Sequence, residues 1–482
     1  LSSHPLIVKS RPLDVHYIST YPQGKAVMQC LLAELESGGY LGRAPRKKIL
    51  KHLKVVVLDL YVLSTTPWAE FVSYSRKASS YSSGRRLGQL YLRYRAMIRA
   101  VDGLVGLGYV RSFKGFYDRK RKTGYQSRMQ ATDKLLRLID KNHVTLAMIE
   151  RDDGPLIILR DKNKKNIGFE ETAETSAIRE SLASYNDFLK GFAIKIDRSE
   201  DEVDQILIRK KKTHVNFYCT AMHRVFNEDF DKGGRFYGAW WQGAPKELRC
   251  YITIDGQTTS ELDYGSQHLL FLYAENQDEY RWLKGVDDDP YSLKNIATDE
   301  RKLLKKIVLA LVNASNRLKA IQAISKEIID NNWDFPKDHA FINSRIDALL
   351  AKHPEIEDLA FSGKGIKLQR IDARITEYVL KHMQAKGIPV LPIHDSFITQ
   401  DRFLPDLYSI MTEAYRMEGI SSIPDIKLIA GADSDTSQIC FKALFLMIEK
   451  DHRMYEKEIE ALEKLEGYCD SMCIRSSAGV LA

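Results

Sequence analysis

Cysteine is scarce in this sequence: 482 residues contain six. So few in so long a chain cannot form a disulfide framework. Cys469 and Cys473 are the only close pair, and they lack the second pair that structural zinc needs. Long apolar runs are missing too; no stretch approaches the ~20 residues that span a bilayer. Leu1 to Pro12 has neither the charged start nor the apolar core of a secretion signal. There is no internal repeat and no long low-complexity segment. With 44% apolar and 28% charged residues, wholesale disorder and a fibrous fold are excluded. The expectation is a globular chain of about three domains, off the membrane, in a reducing cytoplasm.

What is present is a lopsided charge. Residues 1–150 hold 26 Lys and Arg against 10 Asp and Glu, a net +16; the other 332 hold 46 against 54, a net −8. A basic front on a mildly acidic body points to nucleic acid as the partner of the front. A merely solvated basic surface is the alternative. Leu90 to Leu107 has apolar residues at helical spacing and ends at Gly106 and Gly108. Tyr109 to Tyr117 reads as a strand, Asp118 to Gly124 as a basic turn and Tyr125 to Gln130 as the return strand. Ala131-Thr132-Asp133 then opens a further helix. Helix, basic hairpin and helix resemble a winged helix, whose helix enters the major groove while the wing touches backbone. The predicted DNA contacts are Arg93, Arg95 and Arg99 on the helix, Arg119, Lys120, Arg121 and Lys122 on the wing, and Arg128 on the return strand. Phosphate contacts account for this much charge, so DNA affinity is expected rather than sequence specificity. A winged helix used only for protein contacts is the competing reading.

Residues 145–215 say less. Leu156 to Arg160 reads as a strand, and Thr172 to Phe192 as a helix with an apolar face of Ile178, Leu182, Tyr185 and Leu189. The chemistry-bearing patterns come later. Tyr251 to Ile254 alternates, Asp255-Gly256 is a tight-turn pair, and Thr258 to Leu262 resumes as a strand that runs into Asp263. Pro389 to Ile393 forms a second short strand, His394-Asp395-Ser396 the bend, and Phe397 to Thr399 the return. One aspartate at a strand end usually caps or closes a turn. Two on adjacent strands can hold a pair of Mg²⁺ ions ~3.5–4 Å apart, one activating an attacking hydroxyl and one stabilising the leaving oxygen. Magnesium suits such a pair because it takes oxygen ligands and binds through one or two carboxylates plus substrate phosphates. Between the hairpins, Arg301, Lys305, Leu309 and Asn313 recur every four residues and share one helix face. Two cations, an apolar group and an amide suit a triphosphate followed by a base and sugar; a plain amphipathic surface helix is the bland alternative.

The order of these patterns resembles that of family A DNA polymerases and phage-type single-subunit RNA polymerases. Leu262-Asp-Tyr-Gly-Ser-Gln-His268 resembles their motif A, Arg301-x3-Lys305-x3-Leu309-x3-Asn313 their motif B, and Ile393-His-Asp-Ser-Phe397 their motif C. Gly233-Gly234-Arg235 with Gln242, Pro245 and Arg249 resembles the stretch before motif A that grips primer and template. Leu368-Gln369-Arg-Ile-Asp372 resembles the glutamine motif before motif C. The resemblance covers roughly 215–440. It implies that Asp263 and Asp395 bind two Mg²⁺ ions (Mn²⁺ as the substitute) and that Arg301 and Lys305 neutralise the nucleotide's phosphates. It further implies that Leu309 and Asn313 face base and sugar, and that Arg235, Gln242, Arg249, Gln369 and His394 position template and primer. His268, five residues past Asp263, would crowd a 2′-hydroxyl and favours deoxynucleotides, whereas the His394-Asp-Ser-Phe397 wording is closest to the RNA branch. Motif B ends in Asn313-Ala314 rather than the usual Tyr-Gly or Phe, and Ser396 stands where DNA polymerases have Glu.

The expected fold class is therefore α+β. A winged-helix-like domain would occupy 1–145, a connector or thumb-like element 146–215, and a compact right-hand palm and fingers body 216–482. The expected function is template-directed nucleotidyl transfer, foremost as a DNA polymerase without proofreading, with DNA and nucleoside triphosphates as partners. The alternatives are an RNA polymerase or primase, a non-catalytic DNA-binding replication or regulatory protein, and an unrelated nuclease that would need further acids, of which only Glu261 is near in sequence. Trp240 and Trp241 are expected in the core. Met447 to Glu466 is expected to form an amphipathic helix.

Overall fold

Local chemistry writes several elements before any long-range contact forms. Thr172 Oγ1 accepts a hydrogen bond from the Thr175 backbone N–H, and Thr175 Oγ1 accepts one from the Thr172 backbone N–H, a reciprocal cap that starts the helix Ala173–Leu189. Ile178, Leu182, Tyr185 and Leu189 are all buried along that helix, as their spacing predicts. Asp255 and Gly256 both take positive φ (51° and 75°), the pair of left-handed residues that a two-residue hairpin needs. That turn joins Ile252–Ile254 to Gln257–Tyr264 with Ile254 opposite Gln257.

The computed structural model describes residues 10–65, 70–82, 92–118, 123–152, 154–210, 215–217, 219–275, 289–293, 300–420 and 426–431. It is a mixed helix-and-sheet protein, in keeping with the α+β expectation. The chain forms two compact units: residues 1–191, 196–249 and 291–374 in the first, and 192–195, 250–290 and 375–482 in the second. The boundaries anticipated at 145 and 215 both fall inside the first unit. Expected features at 119–122 and 447–466 lie outside the described residues.

In the first unit, helices Pro22–Ser37, Arg46–Ser64 and Tyr94–Gly106 share a core that includes Leu31, Leu35, Ile49, Leu53, Met97 and Val101. A four-stranded sheet accompanies them in the order Ser10–Pro12, Phe71–Tyr74, Ser127–Ala131, Val110–Phe113. The single strand expected from Tyr109 to Tyr117 is in fact two. Val110–Phe113 pairs with Ser127–Ala131, whereas Phe116–Asp118 leaves the sheet and pairs with Thr123–Tyr125 in a separate ribbon. At the break, the Gly115 N–H donates to Ser127 Oγ at 3.0 Å, so a side chain takes a donor that a continuing ladder would have used. A second four-stranded sheet runs Asn166–Ile167, Ile157–Arg160, His223–Asn227, Asp229–Tyr237. Helices Arg301–Asn313, Arg317–Asp330 and His339–Lys352 pack around Leu303, Ile307, Ile324 and Ile346.

In the second unit the strand Gln257–Tyr264 is central. Ser396–Gln400 pairs with one of its edges and Ile426–Gly431 with the other. Leu391–Ile393 extends the sheet beyond Ser396–Gln400. The helix Leu404–Met417 anchors this sheet: Tyr415 meets the Tyr264 ring at 4.8 Å, and the Tyr264 hydroxyl donates to the Met411 carbonyl at 2.8 Å. No helix among the described residues is long and apolar enough to cross a membrane.

Candidate active site

Asp263 lies next to the last residue of its strand, and Asp395 lies in the turn between Leu391–Ile393 and Ser396–Gln400. The register sets Asp263 opposite Ser396, so the two aspartates are one residue out of step on neighbouring strands. Both are half-buried. Two hydrogen bonds hold the turn by its carbonyls: the Tyr264 N–H donates to Asp395 O at 3.2 Å, and Thr376 Oγ1 donates to His394 O at 3.3 Å. His394 takes φ 56°, a left-handed conformation in which histidine is among the more tolerant residues. On its other edge Asp263 faces Lys427, a lysine position that the local sequence around either aspartate does not announce. Beneath the pair, Ser396 Oγ donates to Glu261 Oε1 at 2.7 Å, with Ser396 only 5% and Glu261 only 2% exposed. At the far end of the same strand, buried Asp401 accepts from Thr258 and Ser260 hydroxyls, each at 2.6 Å. His268 is half-buried in the first turn of the helix Gln267–Glu275.

The remaining predicted positions of the polymerase-like set are in the first unit. Arg301–Asn313 is a helix as predicted, and Leu303, Leu304, Ile307, Val308, Leu311 and Val312 are its buried stripe. Arg301, Lys305, Leu309 and Asn313 occupy the other side. Both cations converge on one ring: the Arg301 guanidinium lies 5.3 Å and the Lys305 ammonium 5.5 Å from the centre of Tyr291. Tyr291 went unnoticed in the sequence, because no spacing connects it to the helix. Asn313 Nδ2 donates to Leu309 O at 2.7 Å, and its side chain lies where a Cβ on Gly365 would sit.

The glycine pair Gly233-Gly234 has a geometric role. Gly233 and Gly234 have φ of 76° and 83°, and a bulge there leaves Val225 opposite Arg235 but Phe226 opposite Gly233. The bulge turns Arg235 so that its Nε meets Asp372 Oδ2 at 2.5 Å. Asp372 follows Gln369 by three residues on the helix Gly365–Ala385, so two separately noticed sequence patterns are tied by an ion pair whose aspartate is buried. Gln369 is half-buried. Gln242 Nε2 donates to Phe236 O at 3.0 Å and Arg249 Nη1 to Ala244 O at 3.4 Å, both serving local backbone. Trp240 and Trp241 are buried as expected.

In the front, Arg93, Arg95 and Arg99 are exposed. Arg119, Lys120, Arg121 and Lys122 lie outside the described residues. Arg128 departs from its expected surface role. It is 5% exposed within the central strand Ser127–Ala131, with a neighbour strand on each edge, and so does not present its guanidinium to a phosphate. Its place on the return strand of the expected wing drew the expectation; its place in the sheet decides otherwise.

As to metal, Asp263 and Asp395 give an oxygen-only donor set of two half-buried carboxylates, which fits a hard cation that fills its other positions with water and phosphate. Among the described residues no three His, Cys, Asp or Glu gather into a cage. No protein-family model and no curated protein matches the chain.

Proposed function

We propose that this protein is a template-directed nucleotidyltransferase, foremost a DNA polymerase that lacks proofreading, with a palm and fingers body and a winged-helix-like front that holds DNA. What supports the reading is the proximity of Asp263 and Asp395, two aspartates 132 residues apart in sequence that the strand register makes near neighbours at one end of the sheet. Mg²⁺ bound by such a pair supplies Lewis-acid stabilisation of phosphate charge and lowers the pKa of an attacking hydroxyl. The chain's own residues do the rest. Asp263 and Asp395 hold the ions, kept in place by the Tyr264 and Thr376 hydrogen bonds. Arg301 and Lys305, which share one face of the helix Arg301–Asn313, bind and neutralise the triphosphate. Leu309 and Asn313 face base and sugar, and His268 crowds a 2′-hydroxyl. Arg235, Gln242, Arg249, Gln369 and His394 orient primer and template; exposed Arg93, Arg95 and Arg99 contribute phosphate contacts in the front.

The wording of Ile393-His-Asp-Ser-Phe397 supports a second reading, a ribonucleotide polymerase or primase. Primer extension with Mg²⁺ decides, using deoxy- and ribonucleotides on primed and unprimed templates. The wild type is expected to extend a primer with deoxynucleotides, and Asp263→Ala and Asp395→Ala to lose ~10³-fold or more, since several kcal/mol of charge stabilisation vanish. Ribonucleotide chains begun without a primer would select the second reading. DNA retained in a gel shift with no product under any condition would leave only a binding protein.

A further inference from the structure

Glu261 and Ser396 have no part in the proposed chemistry, yet they are among the most deeply buried polar side chains near it. Glu261, Asp263 and Ser396 share one face of the sheet. Glu261 and Asp263 are two apart on one strand, and Ser396 is directly opposite Asp263. The Ser396 hydroxyl crosses diagonally to Glu261 Oε1 at 2.7 Å. Its alternative acceptor, Ile393 O, lies at 3.3 Å across its own hairpin. Ser396 directly follows Asp395, and only the two residues His394 and Asp395 form the turn. The Glu261–Ser396 hydrogen bond therefore ties the C-terminal stem of the turn to the strand that carries Asp263.

We propose that Glu261 is a positioning residue, which through the Ser396 hydroxyl fixes the Asp395 turn against Asp263 and so sets the affinity of the carboxylate pair for a divalent cation. This rests on the metal-binding role given above to Asp263 and Asp395. The physical basis is general: a ligand carboxylate binds well when its own backbone is held, and removing the supporting hydrogen bond typically costs 10–100-fold in metal affinity. A buried serine hydroxyl facing a buried glutamate is also costly to leave unmade, so the link stays formed rather than fluctuating with water.

The test is Mn²⁺ binding to the full chain, read from the electron paramagnetic resonance signal of free Mn²⁺, without nucleotide. Wild type is first compared with Asp395→Ala. Equal binding by these two overturns the metal role itself, and this inference with it. If Asp395→Ala binds more weakly, the second comparison follows. Ser396→Ala is expected to bind ~10-fold more weakly than wild type, and Ser396→Thr, which keeps the hydroxyl, within ~3-fold of it. Glu261→Gln keeps an acceptor oxygen of the same shape and should stay close to wild type. Glu261→Leu should lose at least as much as Ser396→Ala, and the double variant should lose no more than Glu261→Leu alone, because the Ser396 hydrogen bond is already gone in that variant. Wild-type Mn²⁺ affinity in Ser396→Ala, or additive losses in the double variant, overturns the proposal. Should Glu261→Leu fail to fold, the three Ser396 and Glu261→Gln measurements still decide.

Discussion

Two pairs of aspartates in this chain are held in opposite ways. In the first unit, Asp59 is fully buried and meets the Arg11 guanidinium at 2.5 Å, itself almost fully buried. Asp14 nearby is paired with Arg151 and accepts from Asn216 Nδ2 at 2.8 Å. Burial pushes the Asp59 carboxyl up to about 6 in spite of Arg11. Burial would raise Asp14 too, but the Arg151 charge and hydrogen bond, with the His16 N–H, bring it below the usual carboxylate range. In the second unit, Asp263 and Asp395 stand half-buried near a strand end and in a turn, and the Tyr264 N–H donates to the Asp395 carbonyl. An aspartate enclosed with a cation serves the fold. Two half-buried aspartates that the register makes near neighbours at one sheet end suit a ligand.

The largest effect that sharpens this contrast comes from the presented pair. Asp263→Asn or Asp395→Asn should abolish nucleotide incorporation while changing the melting temperature little; a large loss of stability would place these residues with the enclosed class. Next comes Arg11→Ala, which strands a buried carboxylate. It should destabilise the fold by about 3–5 kcal/mol in urea denaturation, with per-molecule activity of the folded fraction unchanged. A smaller effect is expected of Asp14→Asn, about 1.5–3 kcal/mol at neutral pH. Because the folded-state pKa of Asp14 is lowered, its contribution is present above the usual carboxylate value and fades as pH falls through the lowered one. The gap between wild type and Asp14→Asn in urea midpoint should therefore narrow between pH 7 and about pH 3; a gap that widens would reverse the assignment. The smallest effect is Gly365→Ala. The new methyl displaces the Asn313 side chain, while alanine favours the helix it opens by about 0.5–1 kcal/mol. Stability should hardly change, and the nucleotide KM should rise ~3–10-fold, the worth of one hydrogen bond. An unchanged KM would remove Asn313 from the nucleotide contacts.

Legibility followed range. The Asp255-Gly256 turn, the Thr172 cap and the helix Arg301–Asn313 were readable because each is written within a few residues: a φ requirement, a side chain reaching its own backbone, a 3.6-residue stripe. Both candidate aspartates were visible as strand-end residues. Their adjacency was expected only through a resemblance of motif order, since nothing local to either residue specifies the other. Arg235 with Asp372, Ser396 with Glu261, and Tyr291 beneath Arg301 and Lys305 were not legible, because these partners are joined by bulges, register and packing rather than by spacing. Arg128 shows the converse error: its charge suggested a surface, and its central strand buried it.

The sequence by itself determined that this is a globular, mixed α and β chain with a basic front, and where its hairpins, caps and amphipathic helices lie. It could do so because turn dihedrals, capping and periodicity act over a handful of residues. Only the tertiary structure decided which charges are presented and which are enclosed. A one-residue change of register moves every side chain to the other face of a sheet, and that register is set by the packing of whole strands against their neighbours. Asp263 and Asp395 share their sheet end on those terms, and so do the serine and glutamate beneath them.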